Sequence, residues 1–164
     1  MNLLRLCQWL YDTSFGTAIR ESQFAFPLID SVHVLGIALL VGTVLVVDLR
    51  LLGILMKEEQ VSEVVNRVLP LTWCGFAIQI FSGLLLFWAK AEQYYGNPAF
   101  RLKLVLLVLA GLNPLIFHLT VYRSVSAWNE KHTTPVRAKL AGLLSLTLWS
   151  GVIIAGRATA YFGK

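Results

Sequence analysis

Two imidazoles and a carboxylate stand where the chain is otherwise built for lipid. In FPLIDSVHVLG, residues 26–36, Asp30 and His33 lie one helical turn apart. His118 follows Pro114 by one turn in AGLNPLIFHLTVY. Residues three or four apart on a helix are neighbours, so Asp30 can accept the ring N–H of His33 and fix its tautomer. A neutral imidazole so held binds a transition metal or passes a proton. A charge at the centre of a membrane helix costs at least ~2.5 kcal/mol, so such groups are expected to turn inward, toward one another, water or a cofactor.

The elements that position them follow from composition. With 57% hydrophobic and 14% charged residues and a mean hydropathy of +0.68, the 164-residue chain is too apolar for a soluble domain. About 20 apolar residues cross the hydrocarbon, and four segments qualify, at roughly 24–48, 69–90, 101–123 and 136–161. Two amphipathic stretches flank them. Residues 3–20 place Leu3, Leu6, Trp9 and Leu10 on one face, and 58–68 repeat valine at 61, 64, 65 and 68 opposite charges. The expected fold is all-α: a single domain over 1–164, an integral membrane four-helix bundle with an interfacial N-terminal amphipathic helix and a second surface helix. Asn97-Pro98 and Thr134-Pro135 each offer an N-cap oxygen followed by proline at the first helical position.

Four spans return the chain to its starting side, here face A. Of the 14 lysines and arginines, half fall on each face, so the positive-inside rule assigns no orientation. The first residues lack a cleavable leader pattern, and the first span is expected to direct insertion. Cys7 and Cys74 lie far apart and form no CxxC or CxxCH, so neither a disulfide framework, a zinc site nor covalent c-type haem attachment is suggested. The net charge of +5 is spread over the connections, which suits anionic lipid headgroups and not nucleic acid. There is no GxSxG, Walker loop or GxGxxG.

Polar residues recur at membrane depth. Asp30 and Asp48 are separated by five full turns and share one azimuth, with His33 beside it. Thr72, Gly75, Gln79 and Ser82, beside Gly83, make a small and polar stripe on the second span that reads as a helix-packing seam. Pro114 cannot donate to the carbonyl of Ala110, and Asn113 is available to satisfy the freed group. Gly142, Ser145 and Trp149 share a face of the fourth span, and Arg157 and Tyr161 lie near its face A end. Arg157 reads equally as a headgroup anchor. Ala38 with Gly42 offers a close-contact face for a homo-oligomer.

Intramembrane histidines in a small bundle point to haem b, with His33 and His118 as ligand candidates and Lys103, Arg157 and Tyr161 as propionate partners. The first and third spans run in the same direction, and the two histidines fall in opposite halves, offset by roughly 11–20 Å along the normal. One haem clamped between them is therefore disfavoured. A haem on a single histidine, two haems, or ligands shared between protomers remain. Copper on His33 and Asp30 is the alternative metal reading, with a thin supply of sulfur from Cys7, Cys74, Met1 and Met56. A proton, metal-ion or small-solute route through Asp30, His33, Gln79, Asn113, Asp48 and His118 is a third class. In a fourth, the chain is an accessory or scaffold subunit whose polar residues only fix helix register. His132 reads as a solvated loop residue.

PLIDSVHVLGIALLVGTVLVVDLRLLG, NPAFRLKLVLLVLAGLN with the following FH, and LWSGVIIAGRATAYF together resemble a widespread family of small bacterial four-span membrane proteins of unassigned function. The likeness covers nearly the whole chain and implies a multi-pass protein of the bacterial inner membrane, but no activity. The histidine and glycine pattern of the first span is similar to the copper-resistance D membrane family. The partners implied are the lipid bilayer and a redox or other membrane complex.

Overall fold

A computed structural model describes residues 3–125 and 134–162; the expectation for His132 lies outside the described residues. The helices are α1 (Leu3–Asp12), α2 (Ser14–Glu21), α3 (Ala25–Leu51), α4 (Val61–Ala89), α5 (Ala91–Gly96), α6 (Pro98–Thr120) and α7 (Val136–Phe162), with a 3-10 turn at Tyr122–Ser124. Helices α3, α4, α6 and α7 are each long and apolar enough to cross a bilayer. Leu28, Phe81 and Ile154 are among many large apolar side chains left exposed. In water such a surface would be untenable; here it faces acyl chains, and the protein is a multi-pass integral membrane protein.

The spans pack as two antiparallel hairpins, α3 on α4 and α6 on α7, joined along α3 and α7. The lateral order is thus α4, α3, α7, α6. Burial agrees: α7 and α3 are the most enclosed spans, α4 less so, and α6 least. Helices α4 and α6 make at most marginal backbone contact. At face A they are bridged by near-parallel rings: Tyr94 of α5 lies 4.8 Å from Phe100 and 6.4 Å from Phe87, with Phe87 and Phe100 5.7 Å apart.

The N-terminal segment is two helices and not the single one expected, because Thr13 breaks it. Its hydroxyl caps α2 by accepting from Gly16 N at 3.2 Å, donates to Leu10 O at 2.7 Å and accepts from Trp88 Nε1 at 2.9 Å. That uses one donor and two acceptor sites, the full capacity of a hydroxyl. Arg20 donates to the carbonyls of Tyr11 and Ala89, each at 3.1 Å, and ties this cap to the end of α4.

A second correction concerns 58–68. This stretch does not form a separate surface helix; from Val61 it runs without a break into the second span, with Pro70 inside α4. Proline removes only the bond to the carbonyl four residues earlier, a loss membrane helices tolerate. The valine stripe faces inward: Val61 and Val64 are buried, and Val61 packs with Leu51 and Ala138 at the face B rim. Helix α6 starts as expected, with Asn97 Oδ1 accepting from Ala99 N at 3.0 Å and Phe100 N at 3.2 Å. Helix α7 starts at Val136, as the span predicts, but with Pro135 outside its first position. Pro135 stands before it, its carbonyl accepting from Ala138 N at 2.9 Å and Lys139 N at 3.1 Å.

Candidate functional site

The polar stripe of α4 meets α3 turn by turn. Nearest face B, Thr72 donates to Thr43 Oγ1 at 2.9 Å. One turn on, Gly75 lies so near α3 that a Cβ built there would come within 2.8 Å of Leu40 N and 2.9 Å of Leu40 Cα. From the other side, a Cβ at Gly36 would meet Ile78 Cγ2 at 2.6 Å. Gln79 then donates through Nε2 to the His33 carbonyl, and Ser82 Oγ lies 2.8 Å from His33 Nδ1. This is an interhelical seam whose last member grips an imidazole.

That grip fixes the tautomer. A serine hydroxyl has one hydrogen, and Ser82 donates it to the carbonyl of Ile78 in its own helix. Its lone pair must therefore receive the hydrogen of His33 Nδ1, which makes Nε2 the nitrogen with a free lone pair. No described residue hydrogen-bonds that Nε2. Gly83 lets the ring in, since a Cβ there would lie 3.3 Å from His33 Cε1.

Around His33 the face A half holds a charged cluster. Asp30 and Lys103 both act electrostatically on His33, and Asp30 also acts on Lys103 and Tyr94. The charge of the one carboxylate thus reaches all three. Counted from the helix midpoints, His33 lies about 7 Å and Lys103 about 9 Å toward face A, a single layer. The stem and ammonium of Lys103 cross to α7 at Gly156, with Cδ, Cε and Nζ each 3.6 Å from where a Cβ would stand. Asp30 and Lys103 are not an ion pair, because their charged atoms lie beyond 4 Å of each other. Burial, then the charge of Asp30, holds the Tyr94 phenol above its ordinary value of 10.

The other candidates separate. His118 was expected in the interior, yet it is exposed near the face B end of α6 and stacks on Tyr122 with centroids 5.0 Å apart. Because α6 packs on only one neighbouring span, five residues after Asn113 and one turn after Pro114 the helix already presents its outer side. His33 and His118 are offset by about 21 Å along the normal. Tyr161 is 74% exposed and Arg157 is also exposed, so neither joins Lys103 in the layer. Asp30 is more open than its shared azimuth with Asp48 implied: Asp48 is buried in the α3–α7 contact, and Asp30 is exposed. Asn113 does not serve the carbonyl of Ala110; its Nδ2 donates to Ala141 O of α7 at 3.0 Å. Among the described residues no three of His, Cys, Asp and Glu gather as a metal-ion site.

Two members of the site were missed in the sequence. Ser82 was read as packing alone, although its spacing from Gln79 places it opposite His33 once the α3–α4 register is known. Tyr94 sits in a connection with no motif, and no local signal marks it.

No curated protein and no solved structure matches the chain. Residues 11–162 match the family of unknown function DUF6644, and the four-span protein described above belongs to that family.

Proposed function

We propose that this protein is a redox component of the bacterial inner membrane that carries one b-type haem in its face A half, on His33 alone. The observation that carries the reading is the His33 ring itself, with Nδ1–H bound by Ser82 and Nε2 left with a directed lone pair. Anchoring one imidazole nitrogen so that the other can coordinate is how metal-bound histidines are oriented. The donor set fits this group: haem needs a single protein ligand, an apolar surround and cations for its propionates. Lys103, in the same layer, would supply the cation. When bound, the haem iron would supply one-electron exchange at that depth. Copper fits less well, because a lone imidazole without thiolates or further imidazoles is a poor copper site.

The polar-route reading meets an obstacle along α3. Between Gly36, where the Gln79 amide ends, and Thr43 the seam is closed by buried Leu40 against Gly75, and α3 offers no polar side chain in that interval to carry a proton or solute.

The experiment is expression in haem-replete cells, purification in mild detergent, and oxidised and reduced absorption spectra of wild type, His33→Ala and His118→Ala. A Soret band that is lost in His33→Ala and kept in His118→Ala is expected. Wild-type protein without a Soret band, or equal loss in both variants, overturns the proposal.

A further inference from the structure

The opposite end of α3 holds a group the haem reading does not use. Asp48 is 4% exposed, and its Oδ2 has no hydrogen-bond partner. Ser145 of α7, itself buried, is the side-chain hydroxyl that acts on the carboxyl. Helix α7 approaches closely here, since a Cβ at Gly142 would lie 3.1 Å from Asp48 O and 3.6 Å from Asp48 Cα. Toward the face B water the contact is closed by Leu51, Val61 and Ala138, with Val47, Val65, Phe117 and Val121 packed on them.

No cation offsets this carboxyl among the described residues. Arg50, two residues on, turns its guanidinium onto the Glu59 carbonyl, with Nε at 2.8 Å, and Glu58 and Glu59 are the acids that act on it. On α7, Arg137 and Lys139 flank buried Ala138 and are both exposed. Helix α4 brings Val61 and Val65 to the contact, while its Glu63 is exposed, and α6 brings Phe117. A carboxylate enclosed by apolar side chains, with one hydroxyl beside it and no counter-ion, is a costly species, and it is relieved by taking up a positive ligand. A metal ion would need several more oxygens, and the helices are too close to admit it. A proton needs only Oδ2.

We propose that Asp48 is a proton-binding site: it stays in the closed α3–α7 contact as the neutral acid and gives up its proton only when that contact opens to face B. Nothing in this rests on the haem reading. The chain has three aspartates, Asp12, Asp30 and Asp48, so carboxyl-labelled [13C]aspartate restricts an infrared spectrum to these groups and any exposed C-terminal carboxyl is silent. The test is the infrared spectrum of the labelled full-length protein in liposomes at pH 7, wild type against Asp48→Asn and Asp30→Asn. Expected is a protonated-carboxyl C=O band, sensitive to 13C and to D2O, that vanishes in Asp48→Asn and survives in Asp30→Asn. A wild-type spectrum with only carboxylate bands overturns the proposal, as does a C=O band that persists in Asp48→Asn. Should Asp48→Asn fail to fold, the wild-type spectrum still decides. A single C=O band that disappears reversibly between pH 7 and pH 10, together with faster hydrogen exchange at the face B ends of α3 and α7, supports it. A band indifferent to pH, with no change in exchange, overturns the opening step.

Discussion

Replacing Gly75 by alanine tests the α3–α4 seam that holds His33 in place. The added Cβ would stand 2.8 Å from Leu40 N and 2.9 Å from Leu40 Cα, both backbone atoms that cannot rotate aside. Reaching ordinary contact at 3.4 Å requires α3 and α4 to part by about 0.6 Å. That stretches the Thr72–Thr43 bond from 2.9 Å to about 3.5 Å and the His33–Ser82 bond from 2.8 Å to about 3.4 Å, where hydrogen bonds are nearly spent. Overpacking of this kind costs about 1–3 kcal/mol, and interhelical hydrogen bonds in membranes average ~0.6 kcal/mol each. Alanine also raises helix propensity by up to ~1 kcal/mol, which blurs the single measurement.

Gly42→Ala removes that ambiguity. Gly42 lies in the neighbouring helix with nothing within 4 Å of its Cβ position, so it gains the same propensity without the clash. The difference between the two variants is expected to be about 2–4 kcal/mol, with Gly75→Ala the weaker protein. Reversible unfolding in mixed micelles, titrated with a denaturing detergent, reads it directly. Coincident curves for Gly75→Ala and Gly42→Ala would refute the close approach and with it the register that brings Ser82 to His33.

Three further outcomes are expected. Ser82→Ala leaves the His33 Nδ1–H without its acceptor, so haem affinity should fall ~10–100-fold while the unfolding midpoint barely moves; unchanged affinity on titration of apoprotein would remove Ser82 from the site. Asn97→Ala loses the α6 cap and the Nδ2 bond to Thr159 O at 2.9 Å, and should cost about 2–4 kcal/mol, with Asn97→Asp intermediate because it keeps the cap alone. The Tyr94 phenol is held above 10 in the fold, so its contribution is fully present below pH 10 and is lost as pH rises through the folded value; stability above pH 10 should fall more steeply in wild type than in Tyr94→Phe, and parallel pH profiles would contradict the burial of the phenol beside Asp30.

Spans and their directions were legible because ~20-residue apolar runs leave few alternatives in a bilayer, and the Asn97-Pro98 start was legible because capping chemistry is local. The lateral order of the helices was not. Lipid-facing and protein-facing leucines look alike in sequence, and helix association in membranes rests on small residues and sparse polar contacts. His118 shows the consequence. Its residue type and depth argued for the interior, but α6 is an outer helix of an open row, and most of its circumference meets lipid. The stripe of Thr72, Gly75, Gln79 and Ser82 was read correctly as a seam, since each member answers a specific group on α3. What its period could not convey is that the last partner is the ring of His33.

The open row also explains why the two halves of the bundle differ chemically. At face B, α3 and α7 close on each other through Gly142, Ser145 and the Leu51 cluster, and Asp48 is sealed between them. Toward face A, Lys103 lays its stem against Gly156, and Asp30 acts electrostatically on Lys103, His33 and Tyr94. An apolar side chain of the same length would pack against Gly156 without carrying a charge to membrane depth. Lys103→Met therefore separates structure from site. It should leave the bundle as stable as wild type or more so, while weakening the binding of any anionic group held beside His33; a variant that unfolds without loss of such binding in its folded fraction would assign Lys103 to the scaffold.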